Sequence, residues 1–181
     1  TILFASANSP MARLNLSTGG IIMNIICNKS SLLKSVGTVI RAVSQKTTMP
    51  ILQCILLKAE GNSFTLTAND LELGIHCASD AVVKKEGSVA VNAKIFSEII
   101  RRLPDDEIII DSDDQDNITI SCGKSKFNIP GQKGNDFPLL PEVQSENQMV
   151  LPQNEFRQMI QKTIFSIAQE DSGRPVLTGE L

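Results

Sequence analysis

Apolar positions recur along the chain in two different periods, and each period predicts a different element. Between Lys29 and Gln45 they recur at intervals of three and four, which places them on one face of an α-helix. These positions are Leu32, Leu33, Val36, Val39, Ile40 and Val43. The same spacing predicts a second helix before Pro104, with Ile95, Phe96, Ile99, Ile100 and Leu103 facing inward. Its outer face is expected to carry Lys94, Ser97, Glu98, Arg101 and Arg102.

The remaining segments are short runs of alternating or continuous apolar residues, which are typical of β-strands. Predicted strands cover Met23–Cys27, Ile51–Ala59, Phe64–Ala68, Leu71–Cys77, Ser88–Val91, Glu107–Asp111, Asn117–Cys122 and Lys126–Pro130. Ile51–Ala59 is the most apolar of them and is expected to be central. Glu60–Ser63 and Lys84–Gly87 are predicted turns. We therefore expect an α+β fold in which two helices pack on one face of an antiparallel sheet.

The whole pattern begins again after about 125 residues. An apolar pair, an amphipathic run and a proline-containing apolar motif follow one another in residues 25–52, and again in residues 149–177. The offset is 124 between Leu32 and Phe156, and 125 between Pro50 and Pro175. A long period of this kind predicts two tandem copies of one domain.

This repeat divides the chain into three parts. Residues 23–141 form the predicted first domain, and residues 142–181 form a linker and the truncated start of a second copy. Residues 1–22, with Arg13 as their only charge, are expected to be an unstructured leader, and Met23 is expected to be the natural start. Whether the leader is native is left open.

Cysteine usage and hydropathy favour a cytoplasmic protein without a membrane span. The four cysteines are Cys27, Cys54, Cys77 and Cys122, and none belongs to a CxxC pair that would indicate zinc. Each lies in or beside an apolar run, where a free cysteine acts as a small hydrophobe in a reducing compartment. No apolar stretch approaches the ~20 residues that span a membrane.

Charge is distributed unevenly along the chain. The net charge is −3, but residues 1–59 contain six basic residues and no acidic one, and all 20 acidic residues lie from Glu60 onward. A protein with one basic surface can bind an anionic partner even when its net charge is negative.

Candidate catalytic and metal-binding residues are few. His76, the single histidine, lies in a predicted strand on the solvent side, without a neighbouring nucleophile and carboxylate. The run Asp111–Asp116 resembles a calcium loop, but Asp116 and Cys122 occupy the positions where such a loop needs glycine and glutamate. A solvated hairpin turn explains this run better. We expect no catalytic residue, no metal and no cofactor.

The basic faces of the predicted helices are a stronger indication of function than these catalytic and metal-binding candidates. Lys34 and Arg41 are two helical turns apart, as are Lys94 and Arg101. The further cations on or beside the three predicted helices are Lys46, Arg102, Arg157 and Lys162. Any one of these faces could simply be the solvent-exposed side of a helix. Three similar faces together favour contact with nucleic-acid phosphates that does not depend on the base sequence.

At this point the chain resembles the bacterial DNA polymerase III beta subunit, the family of replicative sliding clamps. The resemblance covers residues 23–181 and depends on the order and spacing of modest motifs. These are Leu32–Lys34, Thr48–Leu52, Leu66–Glu72, Asn92–Phe96, Arg101–Pro104, Gly123–Phe127, Asp136–Pro138 and Arg174–Gly179. The leader has no counterpart in the family.

The resemblance implies three copies of one fold per subunit and a homodimeric ring whose inner helices face double-stranded DNA. By position, Lys46, Lys94 and Arg101 match family positions near DNA. Arg174 and Leu177 match the start of the groove for peptides of the polymerase catalytic subunit, the clamp loader and other clamp-binding proteins. Lys124 and Phe127 match the strand that meets the third domain of the other subunit.

The resemblance also implies a non-catalytic processivity factor. Because the third domain and most of the second are absent from the sequence, the chain alone is expected neither to close a ring nor to bind partner peptides well. Two alternatives stay open at this point. One is an enzyme whose active site lies beyond Leu181, and the other is an oligomeric scaffold without DNA contact.

Overall fold

A computed structural model of the chain describes residues 22–44, 47–140 and 150–167. The chain divides into two compact units, residues 1–140 and 141–181, and each is described by itself. The predicted leader, except for Ile22, lies outside the described residues, as do Lys46, Arg174 and Leu177.

The first unit contains ten strands and two α-helices among its described residues. The strands are β1 (Met23–Asn28), β2 (Cys54–Glu60), β3 (Ser63–Asn69), β4 (Gly74–Ser79), β5 (Ala81–Lys85), β6 (Gly87–Asn92), β7 (Glu107–Ser112), β8 (Ile118–Cys122), β9 (Ser125–Ile129) and β10 (Gly131–Lys133). The helices are α1 (Lys29–Val39) and α2 (Ala93–Arg102), and the described part of the second unit contains α3 (Gln153–Thr163). Short 3-10 turns cover Ile40–Ala42, Pro50–Gln53, Gly134–Asp136 and Ile164–Ser166.

The strands form two five-stranded antiparallel sheets. One has the order β5-β1-β7-β8-β9 and the other the order β10-β6-β2-β3-β4. The apolar strand β2 is the central strand of its sheet, as predicted, although it begins at Cys54 because Pro50 starts a 3-10 turn. The α+β class is therefore confirmed.

The expectation of a single sheet is wrong, because the strands pair into two sheets, and two of them, β5 and β10, were not predicted. Residues 84–87 were predicted to be a turn, but Lys84 and Lys85 end strand β5, which pairs with β1 in the other sheet. The chain passes between the sheets at Asp80, between the end of β4 and the start of β5. Strand β5 lies at a sheet edge, where exposed lysines discourage further pairing.

One apolar core unites both sheets and both helices. Alternate residues of β1 are buried, which is the period expected of a strand with one covered face. Helix α1 contributes Leu32 and Val36, helix α2 contributes Phe96 and Ile100, and all four are fully buried. The strands contribute Ile25, Ile55, Leu57, Leu66, Ile108 and Ile110, among others, to the same cluster.

The inward face of α2 differs from the predicted one at two positions. Ile95, expected inside, is 47% exposed, whereas Ser97, expected outside, is only 4% exposed. Successive helical residues are about 100° apart, and the buried arc is centred on Ala93, Phe96, Ser97 and Ile100. The apolar stripe of α2 is wider than this arc, so Ile95 lies beyond its margin.

The cysteines and the histidine occupy the kinds of position that the sequence predicted. Cys27, Cys54 and Cys122 are buried, Cys77 is half-buried, and all four are free thiols. Burial raises the pKa of Cys27 to about 12. His76 is exposed, with its Nδ1 at 2.8 Å from the hydroxyl of Thr67.

No helix among the described residues has both the length and the apolar character to cross a bilayer.

The acidic run is a hairpin turn between β7 and β8, as predicted. The Asp113 carboxylate accepts hydrogen bonds from the backbone N–H groups of Gln115 and Asn117, at 2.9 and 2.8 Å, and from the Asn117 side chain. Partial burial raises the pKa of Asp113, but these hydrogen bonds outweigh it and the net shift is downward. This carboxylate therefore stabilises the turn in its ionised form.

The Asp113→Ala variant should lower the free energy of unfolding at pH 7 by about 1 kcal/mol, because it removes these hydrogen bonds. The folded-state pKa is depressed, so the contribution of Asp113 is present above the ordinary value of 3.8 and is lost as the pH falls through the folded value. Urea unfolding at a series of pH values measures both effects. Asp114→Ala, an exposed neighbour in the same turn, is the control and should differ little from the wild type. Equal losses in the two variants would contradict this account.

Candidate nucleic-acid interface

Helix α1 and the turn that follows it place two cations, Lys34 and Arg41, on the exposed side of the first unit. Asn28 caps the helix by accepting a hydrogen bond from the Ser30 N–H at 2.9 Å. The buried side carries Leu32, Ser35, Val36 and Val39, so Lys34 is turned to solvent. Arg41, in the 3-10 turn that continues the helix, is also exposed. Helix α1 contains no acidic residue that could pair with these cations.

Helix α2 is built in the same way and lies in contact with α1. Asn92 caps it by accepting a hydrogen bond from the Ile95 N–H at 3.1 Å. Lys94, Arg101 and Arg102 are exposed, and the two arginines lie in the last turn, where positive charge also favours the helix dipole. Part of this charge is therefore explained by helix stability alone.

A groove of about 500 Å³ runs between α2 and the turn that follows α1. Lys94, Arg101 and the acidic Glu98 line it from α2, and Ile40, Val43, Ser44 and Gln53 line the opposite side. Two cations and several neutral polar groups can donate hydrogen bonds to a phosphate without reading a base. The structure thus brings together two of the residues that the sequence singled out.

The other predicted cations of the first unit lie around this groove rather than in it. Arg41 follows Ile40, which lines the groove, but Arg41 itself does not line it. Lys34 lies two helical turns before Arg41 on α1 and is not part of the groove either. Arg102 lines a different, adjacent groove, which shares Lys94 and Glu98 with the first.

This second groove is mainly apolar and encloses about 530 Å³. Its lining residues are Lys94, Ile95, Glu98, Ile99, Arg102 and Phe127. Phe127, on the edge strand β9, is 38% exposed, and Lys124 is exposed in the turn before that strand, where Gly123 has a φ of +55°. Ile95 and Ile99, which were expected to face inward, instead contribute to this groove. The sequence indication of this groove is the apolar stripe of α2, which is wider than the arc that the core can bury and so leaves apolar side chains exposed.

Glu98 is the one acidic residue of α1 and α2, both of which are described throughout. Its carboxylate oxygens lie 3.7 Å from Arg101 Nη1 and 3.6 Å from Arg102 Nη2. All three side chains are at least half exposed, so each ion pair is weak. The helical period predicts Glu98 on the outer face of α2, but no motif in the sequence indicates a role for it.

Helix α3 repeats α1 at an offset of 124 residues. Each helix has 11 residues, Lys29 corresponds to Gln153, and a three-residue 3-10 turn follows each one, beginning at Ile40 and Ile164. Within the second unit, Arg157 and Lys162 are exposed, as predicted for a solvated helix face. The apolar positions Phe156, Met159, Ile160 and Ile164 are exposed among residues 150–167.

Comparisons with known proteins identify relatives of both the sequence and the fold. The family model for the N-terminal domain of the DNA polymerase III beta subunit matches residues 23–141. The chain is 34% identical over 165 residues to the beta sliding clamp of Halalkalibacterium halodurans, and 35% identical over 165 residues to that of Synechocystis. These alignments cover 87% of the chain and 43% and 42% of the two relatives.

Two crystal structures are similar over the same extent. A DNA polymerase III beta subunit from Eubacterium rectale is 46% identical with a TM-score of 0.82, and the DNA polymerase sliding clamp from Bacillus subtilis is 29% identical with a TM-score of 0.82. Each match covers 87% of this chain and 43% of the other. The chain thus spans less than half the length of these relatives.

The Asn92→Ala variant should lower the free energy of unfolding by about 1 kcal/mol, because it removes the cap of α2. Asn92→Asp is the matched control: it keeps the acceptor, adds a negative charge at the helix N-terminus and should retain full stability. Thermal or urea unfolding distinguishes the two variants. A loss of similar size in both would show that the cap is not what matters at this position.

Proposed function

The chain belongs to the DNA polymerase III beta subunit family, and we propose that the full-length protein is a sliding clamp that encircles duplex DNA. In this role it tethers the replicative polymerase for processive synthesis and catalyses no reaction itself. The observation that carries the proposal is the acid-poor surface of α1 and α2, on which Lys94 and Arg101 line one groove. An oligomeric scaffold without DNA contact would have no need of such a surface.

The chemistry of this surface suits sliding. Its cations are exposed, and neither α1 nor α2 presents an exposed aromatic residue that could stack on a base. Exposed lysine and arginine contact phosphates wherever the duplex lies, without sequence preference. Each contact is weak and sensitive to salt, so a ring that is retained by its closed shape could still move along the helix.

The domain organisation belongs to the same proposal. Residues 23–141 form the first clamp domain, and residues 142–181 lead into a second, whose first helix is α3 as α1 is the first helix of the first domain. We assign a role in phosphate contact to Lys34, Arg41, Lys46 and Arg102 in the first domain, and the same role to Arg157 and Lys162 in the second copy. The equal lengths of α1 and α3 and of the turns that follow them support this assignment.

The mainly apolar second groove supports a homodimeric ring. Edge strand β9 offers Phe127, the turn before it offers Lys124, and α2 offers Ile95 and Ile99 to the groove. An exposed strand edge next to an apolar groove is the kind of surface that a second subunit covers. We assign this surface to the contact between subunits.

The remaining partners follow from the family alone. They are the catalytic subunit of DNA polymerase III, the clamp loader and other clamp-binding proteins, whose peptides would meet Arg174 and Leu177. A cytoplasmic location, beside the chromosome, completes the proposal.

Reversing the charge of Lys94 and Arg101 to Glu in the full-length protein should weaken binding to duplex DNA at least about tenfold at low salt, and should flatten the salt dependence. Adding Lys34→Glu and Arg41→Glu should abolish loading onto nicked circular DNA by the clamp loader. The charge-matched control, Lys58→Glu with Lys84→Glu on strands β2 and β5, should load normally. Loading that survives the fourfold reversal would favour the scaffold instead.

Replacing Ile95 and Phe127 by Ala should weaken the homodimer of the full-length protein about tenfold or more, since it removes apolar contacts from the proposed subunit interface. Sedimentation equilibrium measures the dissociation constant. Val82→Ala, a change at an exposed apolar position on strand β5, is the control and should leave that constant unchanged. A dimer as stable as the wild type would place the interface elsewhere.

A further inference from the structure

Glu98 is the one acidic residue of helices α1 and α2, whose other exposed charged side chains are cationic. Residues 22–59, which include α1 and the turn after it, contain no acidic residue, and Glu98 is the one acidic residue of α2. A surface that served only to hold phosphate as tightly as possible would gain from a neutral residue here. The position of Glu98 therefore needs its own explanation.

The geometry of α2 places Glu98 between the two grooves. At about 100° per residue, Glu98 lies between the direction of Lys94 and Arg101 and that of Arg102. It lines both grooves, as Lys94 does, whereas Arg101 lines only the first and Arg102 only the second. A single carboxylate thus lies close to the arginines of both grooves.

Helix stability accounts for only a small part of this arrangement. The two ion pairs are at spacings i,i+3 and i,i+4, with oxygen–nitrogen separations of 3.7 and 3.6 Å, longer than direct hydrogen bonds. The side chains of Arg101 and Arg102 are 58% and 82% exposed, so both pairs are open to water. Such contacts are loose and easily exchanged for another anion.

The anion that would take the place of Glu98 is a backbone phosphate. An arginine that already faces a carboxylate must give up or share that contact before it binds a phosphate, and the remaining carboxylate repels the phosphate. Both effects lower the gain from each DNA contact. They act in the groove that contains Lys94 and Arg101.

We propose that Glu98 is a built-in competitor of the DNA backbone, which keeps the hold of α2 on duplex phosphate weak. The inference rests on the proposed function and concerns how strongly the same surface binds. Glu98 limits the number of phosphate contacts and so favours movement along the duplex over a fixed position on it. It acts by charge and needs no conformational change.

The test is equilibrium binding of the full-length protein to a fluorescent 30-base-pair duplex, measured by anisotropy over a series of salt concentrations. Glu98→Gln should bind about three- to tenfold more tightly at low salt, with a steeper salt dependence because more phosphates are neutralised. Glu98→Asp keeps the charge and should bind about as the wild type does. Glu98→Ala should behave like Glu98→Gln, and thermal unfolding confirms that each variant is folded.

The matched control is Glu60→Gln, which removes the same charge from an exposed ion pair with Lys58, on strand β2. It should leave DNA affinity unchanged. If Glu98→Gln binds no more tightly than the wild type, or if Glu60→Gln tightens binding equally, the inference is overturned. Failure of the proposed function looks different, because then the Lys94→Glu, Arg101→Glu variant would keep its affinity for DNA.

Discussion

The arrangement of charge in the first unit depends on how its two helices are buried. A fully buried leucine, isoleucine or phenylalanine contributes about 1.5–3 kcal/mol, whereas an exposed ion pair contributes about 1 kcal/mol or less. Leu32, Val36, Phe96 and Ile100 therefore decide how α1 and α2 are rotated on the two sheets. The cations lie where this rotation leaves them, with Lys94 and Arg101 in a shared groove. Apolar burial thus creates the charged surface without any attraction among its members.

Many of the helices and strands could be predicted from the sequence, because the apolar residues recur with clear helical and strand periods. The spacing of apolar residues identified α1, α2 and α3, and the continuous apolar run identified β2 as central. Strand β5 was missed because two of its five residues are lysines, and at an edge strand solvation permits charge that a central strand would not. Whether the strands form one sheet or two depends on pairing between distant segments, which a local pattern does not encode.

The candidate sites, too, were predictable where they depend on local sequence and not where they depend on tertiary contacts. Exposure of Lys34, Arg41, Lys94 and Arg101 follows from the helical period, so the sequence predicted it. The groove between α2 and the turn after α1 depends on the contact between two helices more than 50 residues apart in the chain. The groove beside Phe127 depends on which part of the apolar stripe of α2 the sheets leave uncovered. Ile95 has the same chemistry as Ile100, and only the tertiary structure separates their surroundings.

The two sheets of the first unit end in edge strands, and β4 and β9 are among them. Within the described residues, each of these strands has one side whose backbone N–H and C=O groups meet no neighbouring strand. Because the two edges differ in sequence, a contact that joins one to the other is head-to-tail, and such contacts can be repeated indefinitely. Copies of such a module that associate head to tail form an open fibre, unless the rotation from each copy to the next divides a full circle evenly and so closes a ring. Whether the head-to-tail contacts close into a ring therefore decides between an assembly of defined size and an aggregate.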